Sequence, residues 1–205
     1  MEEYLVPTGF GEDEFIEKKS RFIGRLWPAE TEEEALAKIQ EMKKQHYDAT
    51  HNCWAYIIRD GAVRFSDDGE PGGTAGMPML QVLQREGLFN VVCVVTRYFG
   101  GILLGTGGLV RAYTQAAKLA LEAAPSGTMR VCVRLTVTVE YPLYERADLL
   151  LRTAGAHMEE PEFTHQVTLR CVLPQGEEAP LIPKLQEWSR GAAAIEVSPG
   201  FYTAF

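Results

Sequence analysis

The sequence predicts an α+β protein of two domains, and three observations support this fold class. Residues 1–128 alternate strand-like and helix-like segments, which predicts one α/β domain. Residues 129–205 show the order β-α-β-β-α-β, which is that of a ferredoxin-like domain. Between these segments the run PSGT, at residues 125–128, has the composition of a linker. We therefore expect a domain boundary between residues 128 and 129.

Local start and stop signals define the first elements of the N-terminal domain. Residues 13–28 are predicted to form an extended pair or a bent strand. Thr31 precedes a segment with apolar residues at helical spacing, and Glu34 completes a capping box. Two strand-like runs, CWAYIIR and AVRF, then flank Asp60-Gly61, a dipeptide typical of hairpin turns. These signals predict a helix followed by a β-hairpin.

The second half of this domain is predicted to contain two helices and a central strand. MLQVLQRE is helical in pattern, with Pro78 in its first turn and Gly87 as its stop signal. NVVCVVTRYF, at residues 90–99, is an apolar run that ends in polar residues, as expected of a strand buried on both faces. The glycine-rich run GGILLGTGG then leads into a third helix that ends before Pro125.

The ferredoxin-like order of the C-terminal domain follows from six segments. VCVRLTVTVEY alternates as a strand does, and LYERADLLLRTAG is an amphipathic helix closed by Gly155. AHMEE and FTHQVTLRCVL are predicted to be two strands joined at Pro161. EEAPLIPKLQEWSRG is predicted to be a helix, and AIEVSPGFYTAF a single last strand.

Composition excludes several classes of protein. The 205 residues include 20 Lys and Arg against 28 Asp and Glu, a formal net charge of −8. A general nucleic-acid coat is basic, so contact with RNA here requires a local patch. The acidic, proline- and glycine-interrupted N-terminus is unlike a signal peptide, and no apolar run is long enough to cross a bilayer. We therefore expect a cytoplasmic protein without a membrane partner.

The cysteines carry no metal-binding signature. They are Cys53, Cys93, Cys132 and Cys171, each in an apolar strand-like run and none in a C-x-x-C pair. Zinc ligands have tighter spacing, so this pattern predicts buried free thiols. No cofactor is predicted.

The run FSDDGEPGGTAG, at residues 65–76, combines unusual charge with unusual backbone freedom. It places Asp67, Asp68 and Glu70 among four glycines, which allow a backbone to approach a ligand closely. The carboxylates could bind a cation or transfer protons. Alternatively, the segment is a long surface turn in which the aspartates bond to their own backbone. Composition alone leaves both interpretations open.

A second glycine cluster, GGILLGTGGLVRAY at residues 100–113, lies between the buried strand and the third helix. Such a helix start presents free N–H groups to an anion. The run is not a Walker A motif, because Gly105-Thr106-Gly107 stands where G-K-[ST] is required, and it is not a dinucleotide fingerprint, because Val110 occupies the place of the last glycine. Arg97 and Arg111 could flank the opening, or could pair with the carboxylates of the acidic loop. His51 could be a general base, a ligand or a simple hydrogen-bonding partner.

Four sequence blocks resemble the IMPACT/YigZ family. They are KSRFI (19–23), ATHNCWAY (49–56), RFSDDGEPGGTAGMPML (64–80) and VVTRYFGGILLGTGGLVRAY (94–113), in that order. Residues after the linker resemble the small ferredoxin-like domain that bacterial members of the family carry.

The resemblance implies a specific ancestry for both domains. The N-terminal domain is expected to be similar to ribosomal-protein-like folds such as domain IV of elongation factor G, with a left-handed β-α-β crossover against the usual rule. The C-terminal domain is expected to be similar to domain V of the same factor. Eukaryotic relatives modulate translation through an extra N-terminal domain that this sequence lacks, so their partner does not carry over.

These expectations lead to a first functional hypothesis. The protein is a non-enzymatic binding module linked to translation regulation, and its partner is RNA, the ribosome or a translation-related protein. It binds through one groove formed by the two glycine-rich loops. The residues expected in this groove are His51, Asn52, Asp67, Asp68, Glu70, Thr74, Arg97, Gly100, Gly101, Gly105, Gly107, Gly108 and Arg111.

Two alternatives remain open from the sequence. The protein could be a metal- or phosphate-dependent enzyme that acts on a nucleotide-like ligand. His51, Asp67, Asp68 and Glu70 would then bind a divalent ion or transfer protons. It could also be a plain protein–protein adaptor whose glycine loops serve packing alone. Known catalytic signatures are missing, which favours a function without catalysis.

Overall fold

The structure, a computed structural model, describes residues 3–205. Contacts divide these residues into two units, Tyr4–Thr128 and Met129–Phe205 with Glu3. Each unit combines one sheet with helices, so the α+β class with two domains is confirmed.

Nine elements form the first unit. They are β1 (Tyr4–Pro7), β2 (Gly11–Glu17), β3 (Ser20–Pro28), α1 (Glu32–Gln45), β4 (His51–Ile57), β5 (Val63–Ser66), α2 (Gly76–Arg85), β6 (Val91–Tyr98) and α3 (Thr106–Ala123). A sheet of five strands has the order β2-β3-β6-β4-β5, and every neighbouring pair is antiparallel. The extended pair, the β-hairpin and the three helices are all present where the sequence predicts them.

Helix α1 makes a crossover between two strands that do not touch. Strands β3 and β4 both pair antiparallel with β6, one on each side of it, so they run in the same direction. The chain β3-α1-β4 is therefore a β-α-β unit split by a later strand. The left-handedness that the family resemblance implies for this unit stays a prediction.

Strand β6 is buried on both faces, as the sequence predicts. Val91, Cys93 and Val95 pack in the core formed with α2 and α3. The alternate residues Val92 and Val94 pack in a second core against α1. An unbroken apolar run is usual for parallel strands. Here an antiparallel strand shows it because helices cover both faces of the sheet.

Helix α3 lies very close to the sheet because two strand positions have no side chain. A Cβ at Gly24 would lie 2.2 Å from the carbonyl oxygen of Ala116, and one at Gly11 would lie 2.4 Å from that of Ala120. Both contacts are far shorter than van der Waals distance. The second half of α3 is therefore fixed by backbone packing on β2 and β3.

The second unit contains the remaining elements. They are β7 (Ser126–Val139), a 3₁₀ turn (Tyr141–Leu143), α4 (Tyr144–Thr153), β8 (His157–Met158), β9 (Glu162–Phe163), β10 (Val167–Pro174), α5 (Leu181–Trp188), β11 (Ala194–Val197) and β12 (Phe201–Ala204). Strand β7 pairs with β10 on one side and with β11 and β12 on the other, and β10 pairs with β8. This is the strand order of a ferredoxin-like fold.

Several details differ from the sequence prediction, and two of them have a local cause. Residues 126–128 of the expected linker belong to the start of β7, since Ser-Gly-Thr can extend into the β-branched run that follows. The single last strand is two, β11 and β12, because Pro199 lacks the N–H that a continuous ladder needs. Within residues 3–205, no helix is both long and apolar enough to cross a membrane.

All four cysteines are buried free thiols, as predicted. Burial raises the pKa of Cys93 to about 12 and that of Cys171 to about 11, the latter with a smaller contribution from Glu159.

We expect Ellman's reagent to leave these thiols unmodified at about pH 8 in the native protein, where a free thiol of pKa about 8.5 reacts readily. All four should react after guanidinium unfolding. Glutathione is the control, and a native thiol that reacts at its rate would contradict the burial.

Replacement of Gly24 by alanine tests the contact between α3 and the sheet. The new methyl group would overlap the backbone of α3, so urea unfolding should show a loss of about 1–3 kcal/mol. Gly72→Ala is the matched control, because a Cβ there meets nothing within 4 Å. It should change the free energy of unfolding by less than about 0.5 kcal/mol. Equal losses in both variants would show that the close packing is not what Gly24 provides.

Candidate functional site

A cavity of about 400 Å³ opens in the first unit at one end of its sheet. It lies between the acidic loop, the beginning of β4, the end of β6 and the start of α3. Its lining residues are Thr50, His51, Gly69, Glu70, Pro71, Arg97, Phe99, Leu103, Leu104, Gly105, Thr106 and Leu109. Both glycine-rich loops of the sequence therefore contribute to one site.

Strand register explains why His51 and Arg97 meet there. The two residues are directly paired across β4 and β6. Arg97 continues the series Cys93 and Val95, which faces α2 and α3, because alternate strand residues share a face. The cavity is the polar end of an otherwise apolar sheet face.

Glu70 and Arg97 form a buried ion pair at the floor of the cavity. Arg97 Nη1 donates to Glu70 Oε1 at 2.6 Å, and the side chains are only 5% and 3% exposed. Tyr113 of α3 donates its hydroxyl to the same oxygen at 2.7 Å. Burial, together with nearby Cys53 and Glu70, raises the pKa of Tyr113, so its hydroxyl stays protonated as a donor.

Both terminal nitrogens and the flat face of the Arg97 guanidinium contact other residues of the protein. Its Nη2 donates to Ser20 Oγ at 3.3 Å, and its guanidinium lies 5.4 Å from the ring centroids of both Phe22 and Phe99. Its Nε is buried without a hydrogen-bond partner among the described residues. Because Glu70 neutralises the guanidinium, Arg97 offers no net charge to a phosphate.

His51 has one defined orientation. Its Nδ1 lies 2.8 Å from the carbonyl oxygen of Asp68, which can only accept, so Nδ1 carries a proton and donates. In the neutral ring Nε2 is then an acceptor. Nε2 lies 3.8 Å from Glu70 Oε2, and both residues line the cavity.

Asp67 organises the start of α2. Its Oδ1 accepts from the backbone N–H groups of Ala75 and Gly76, at 3.0 and 2.9 Å, and its Oδ2 accepts from Gly73 at 2.8 Å. A carboxylate at a helix N-terminus also interacts favourably with the helix dipole. Both oxygens of Asp67 therefore serve the loop itself.

Asp68 ties the loop to two other elements. Its Oδ2 accepts from the backbone N–H of Asn52 at 2.7 Å, and its Oδ1 pairs with Lys43 of α1 at 2.6 Å. Asp68 has a left-handed backbone with φ of 45°, which these bonds stabilise. Neither aspartate has an oxygen free of partners. Across residues 3–205, no group of three or more His, Cys, Asp or Glu is arranged to hold a metal ion.

Other residues expected in the groove lie outside the cavity lining. The Asn52 side chain is on the α1 face of the sheet, where it donates to the carbonyl of His46 and accepts from Thr96. Thr74 donates to the carbonyl of Pro71 within the loop. Gly100 packs against the backbone of Lys19. Of the expected set, the cavity brings together His51, Glu70, Arg97 and Gly105, whereas Asn52, Asp67, Asp68, Thr74, Gly100, Gly101, Gly107, Gly108 and Arg111 do not line it.

A smaller hollow of about 170 Å³ adjoins the cavity on the other side of Leu104. Arg111 and Gly108 line it, together with Lys18. Lys18 and Lys19 form a two-residue hairpin turn between β2 and β3, with φ of 44° and 65°. Positive φ at both turn positions defines a type I′ turn, which usually contains Asn-Gly. The sequence analysis did not predict this turn, because Lys-Lys is not a turn signal, and it therefore did not place the two lysines near the candidate site.

Comparison with known proteins gives the family. Residues 18–121 match the family described as the Impact N-terminal domain, and residues 137–192 match a domain of unknown function, DUF1949. The chain belongs to the IMPACT family. It is similar to the IMPACT family member YvyE of Bacillus subtilis, with 36% identity over 96% of this chain and 91% of that protein.

Two further similar proteins match nearly the whole length of this chain. The family member YigZ of Escherichia coli is 37% identical over 95% of this chain and 98% of its own length. A crystal structure described as that of an hypothetical protein superposes with a TM-score of 0.61 at 36% identity, covering 95% of this chain and 97% of the other. Both domains therefore occur together in similar proteins.

The buried pair of Glu70 and Arg97 can be tested by a double-mutant cycle. Glu70→Ala or Arg97→Ala alone leaves an unpaired buried charge, so each should cost about 3–5 kcal/mol in urea unfolding. The double variant should cost clearly less than the sum of the two. The exposed pair Lys38–Glu41 is the control, and Lys38→Ala should cost less than about 1 kcal/mol. Strict additivity of the two buried substitutions would contradict the coupling.

Proposed function

We propose that this IMPACT family protein is a non-enzymatic module that binds single-stranded RNA of the translation machinery. One observation carries the proposal: a cavity with apolar walls lies beside exposed cationic side chains that have no partner among residues 3–205. Single-stranded nucleic acid needs this combination, because its bases seek apolar or aromatic surfaces while its phosphates seek positive charge.

The cations are Lys18, Lys19 and Arg111. All three are exposed, and none of their side chains forms a hydrogen bond or ion pair with another residue in the described range 3–205. Lys18 and Arg111 border the same hollow, and the Lys19 backbone contacts Gly100 of the adjacent glycine loop. This supplies the local basic patch that an acidic protein needs for RNA contact. Glu17 also borders the hollow, so the net charge there is small and the salt dependence should be modest.

The cavity walls suit a planar base. Phe99 is 44% exposed and Leu103 is 81% exposed, although both border the cavity. An exposed aromatic ring beside a pocket is a stacking surface for an unpaired base. The cavity is also within the range of about 300–1,000 Å³ that small-molecule pockets occupy.

The link to translation rests on the family and fold resemblance. The N-terminal fold that the sequence implies is shared with ribosome-associated domains, which supports RNA as the partner by analogy only. The alternative of a metal-dependent enzyme finds no specific support, because the oxygens of Asp67 and Asp68 are occupied by backbone N–H groups and Lys43.

Ribosome co-sedimentation and filter binding to a single-stranded RNA, each across a salt series, test this function. Arg111→Gln and Lys18→Gln should each weaken binding at low salt, and should each reduce the slope of log K against log salt by about 0.7, the value for one phosphate contact on a single strand. Arg85→Gln is the matched control, since Arg85 is an exposed arginine in the last turn of α2. It should bind as the parent does.

Two results would overturn the proposal. One is no binding to single-stranded RNA even at low salt, whether or not the protein sediments with ribosomes. The other is an equal loss in Arg85→Gln, which would show that general charge, not this patch, is responsible.

A further inference from the structure

The cavity floor carries two hydrogen-bond acceptors without donors. Glu70 Oε1 already accepts from both Arg97 and Tyr113. Glu70 Oε2 accepts no hydrogen bond from any described residue, and His51 Nε2 lies 3.8 Å from it, too far for a hydrogen bond. The Nδ1 proton of His51 is committed to the carbonyl of Asp68, so in the neutral form of the ring Nε2 presents a lone pair to the cavity side of Glu70.

Two unpaired acceptors favour a ligand that supplies hydrogen-bond donors. Glu70 is 3% exposed and His51 is 18% exposed, so little water can satisfy them once the cavity is filled. Leaving such acceptors unpaired under an apolar ligand is costly. A phosphate would bring further acceptors and negative charge towards Glu70, and the charge of Arg97 is already neutralised. The floor therefore rejects anions and selects N–H groups.

We infer that the cavity takes a guanine base of the single-stranded RNA, an assignment that rests on the proposed RNA-binding function. Guanine is the one common base whose Watson–Crick edge carries two adjacent donors, N1–H and the N2 amino group. Glu70 Oε2 and His51 Nε2 would accept one each. The base faces would contact the apolar walls formed by Phe99, Leu104 and Leu109.

The other bases fit this floor less well. Adenine and cytosine place a ring-nitrogen acceptor beside their amino group, which would face one of the two acceptors. Uracil has one N–H between two carbonyl acceptors. Each mismatch leaves an acceptor opposite an acceptor, so the selectivity comes from repulsion as well as from the hydrogen bonds. Arg111 and Lys18 are placed to contact the neighbouring phosphates, because their hollow shares Leu104 with the cavity.

Fluorescence anisotropy with labelled uridine heptamers tests the assignment. The central position is varied as guanosine, inosine, adenosine or cytidine, at low and constant ionic strength. The guanosine heptamer should bind about 5- to 100-fold more tightly than the adenosine heptamer, the range expected for one good pair of base contacts. Inosine keeps N1–H and lacks the amino group, so its affinity should lie between the two.

Paired variants of His51 locate the selectivity on this floor. His51→Asn keeps a donor near the Nδ1 position but removes the Nε2 acceptor, so the ratio of guanosine to adenosine affinity should fall towards one. His51→Gln can place its amide oxygen near the Nε2 position and should retain part of that ratio. Arg111→Gln should weaken all heptamers and leave the ratio unchanged. Circular dichroism and thermal unfolding confirm that each variant is folded.

The outcomes separate this inference from the proposed function. Equal affinity for all heptamers, with normal salt dependence, would overturn the guanine assignment and leave RNA binding standing. Binding to ribosomes without binding to any heptamer would overturn both and indicate a protein partner. A guanosine preference that survives in His51→Asn would show that another surface reads the base.

Discussion

The buried ion pair of Glu70 and Arg97 is the contact on which the site depends. It joins the acidic loop to β6, and Tyr113 extends it to α3. An unpaired charge at either position would be strongly unfavourable, so the pair favours the loop arrangement that keeps Glu70 beside Arg97. The cavity beneath the loop is consequently ordered by the same contact that stabilises it. It presents a neutral floor, not a cationic one.

The three carboxylates of the loop have three different tasks. Asp67 caps α2, Asp68 ties the loop to β4 and α1, and Glu70 neutralises Arg97. Residues that are neighbours in the sequence thus connect four separate elements. Each of the three carboxylates has a partner in the protein. The high local density of acidic residues in the sequence is therefore explained by these structural contacts. Only one of their oxygens, Glu70 Oε2, remains for a ligand.

The exposed positive charges and the cavity are formed by different residues. The exposed cations beside the cavity are Lys18 and Lys19 on the hairpin turn and Arg111 on α3, whereas the charged groups on the cavity floor, Glu70 and Arg97, neutralise each other. Phosphate contacts and base contacts would then come from different elements, which is the usual division of labour in nucleic-acid recognition. A protein with a net charge of −8 can bind RNA in this way because only the local patch matters at short range.

The sequence by itself determined the elements of this protein. The capping box of Thr31, the hairpin dipeptide Asp60-Gly61 and the apolar run 90–99 each depend on local backbone preference or on periodicity, which a single chain displays directly. The elements that it missed lack such signals. The Lys18-Lys19 turn has neither Asn nor Gly, and the last strand is interrupted at one proline, Pro199, which has no N–H to donate to the ladder.

Only the tertiary structure decided which side chains meet. Arg97 could have paired with any of three carboxylates, and Ser20 and Tyr113 gave no hint that they would hold the same pair. Asn52, expected in the groove, faces the opposite side of the sheet because adjacent strand residues alternate between faces. Partners this far apart in the chain are chosen by strand register and helix packing. Neither can be derived from the residues alone, since each is a property of the whole fold.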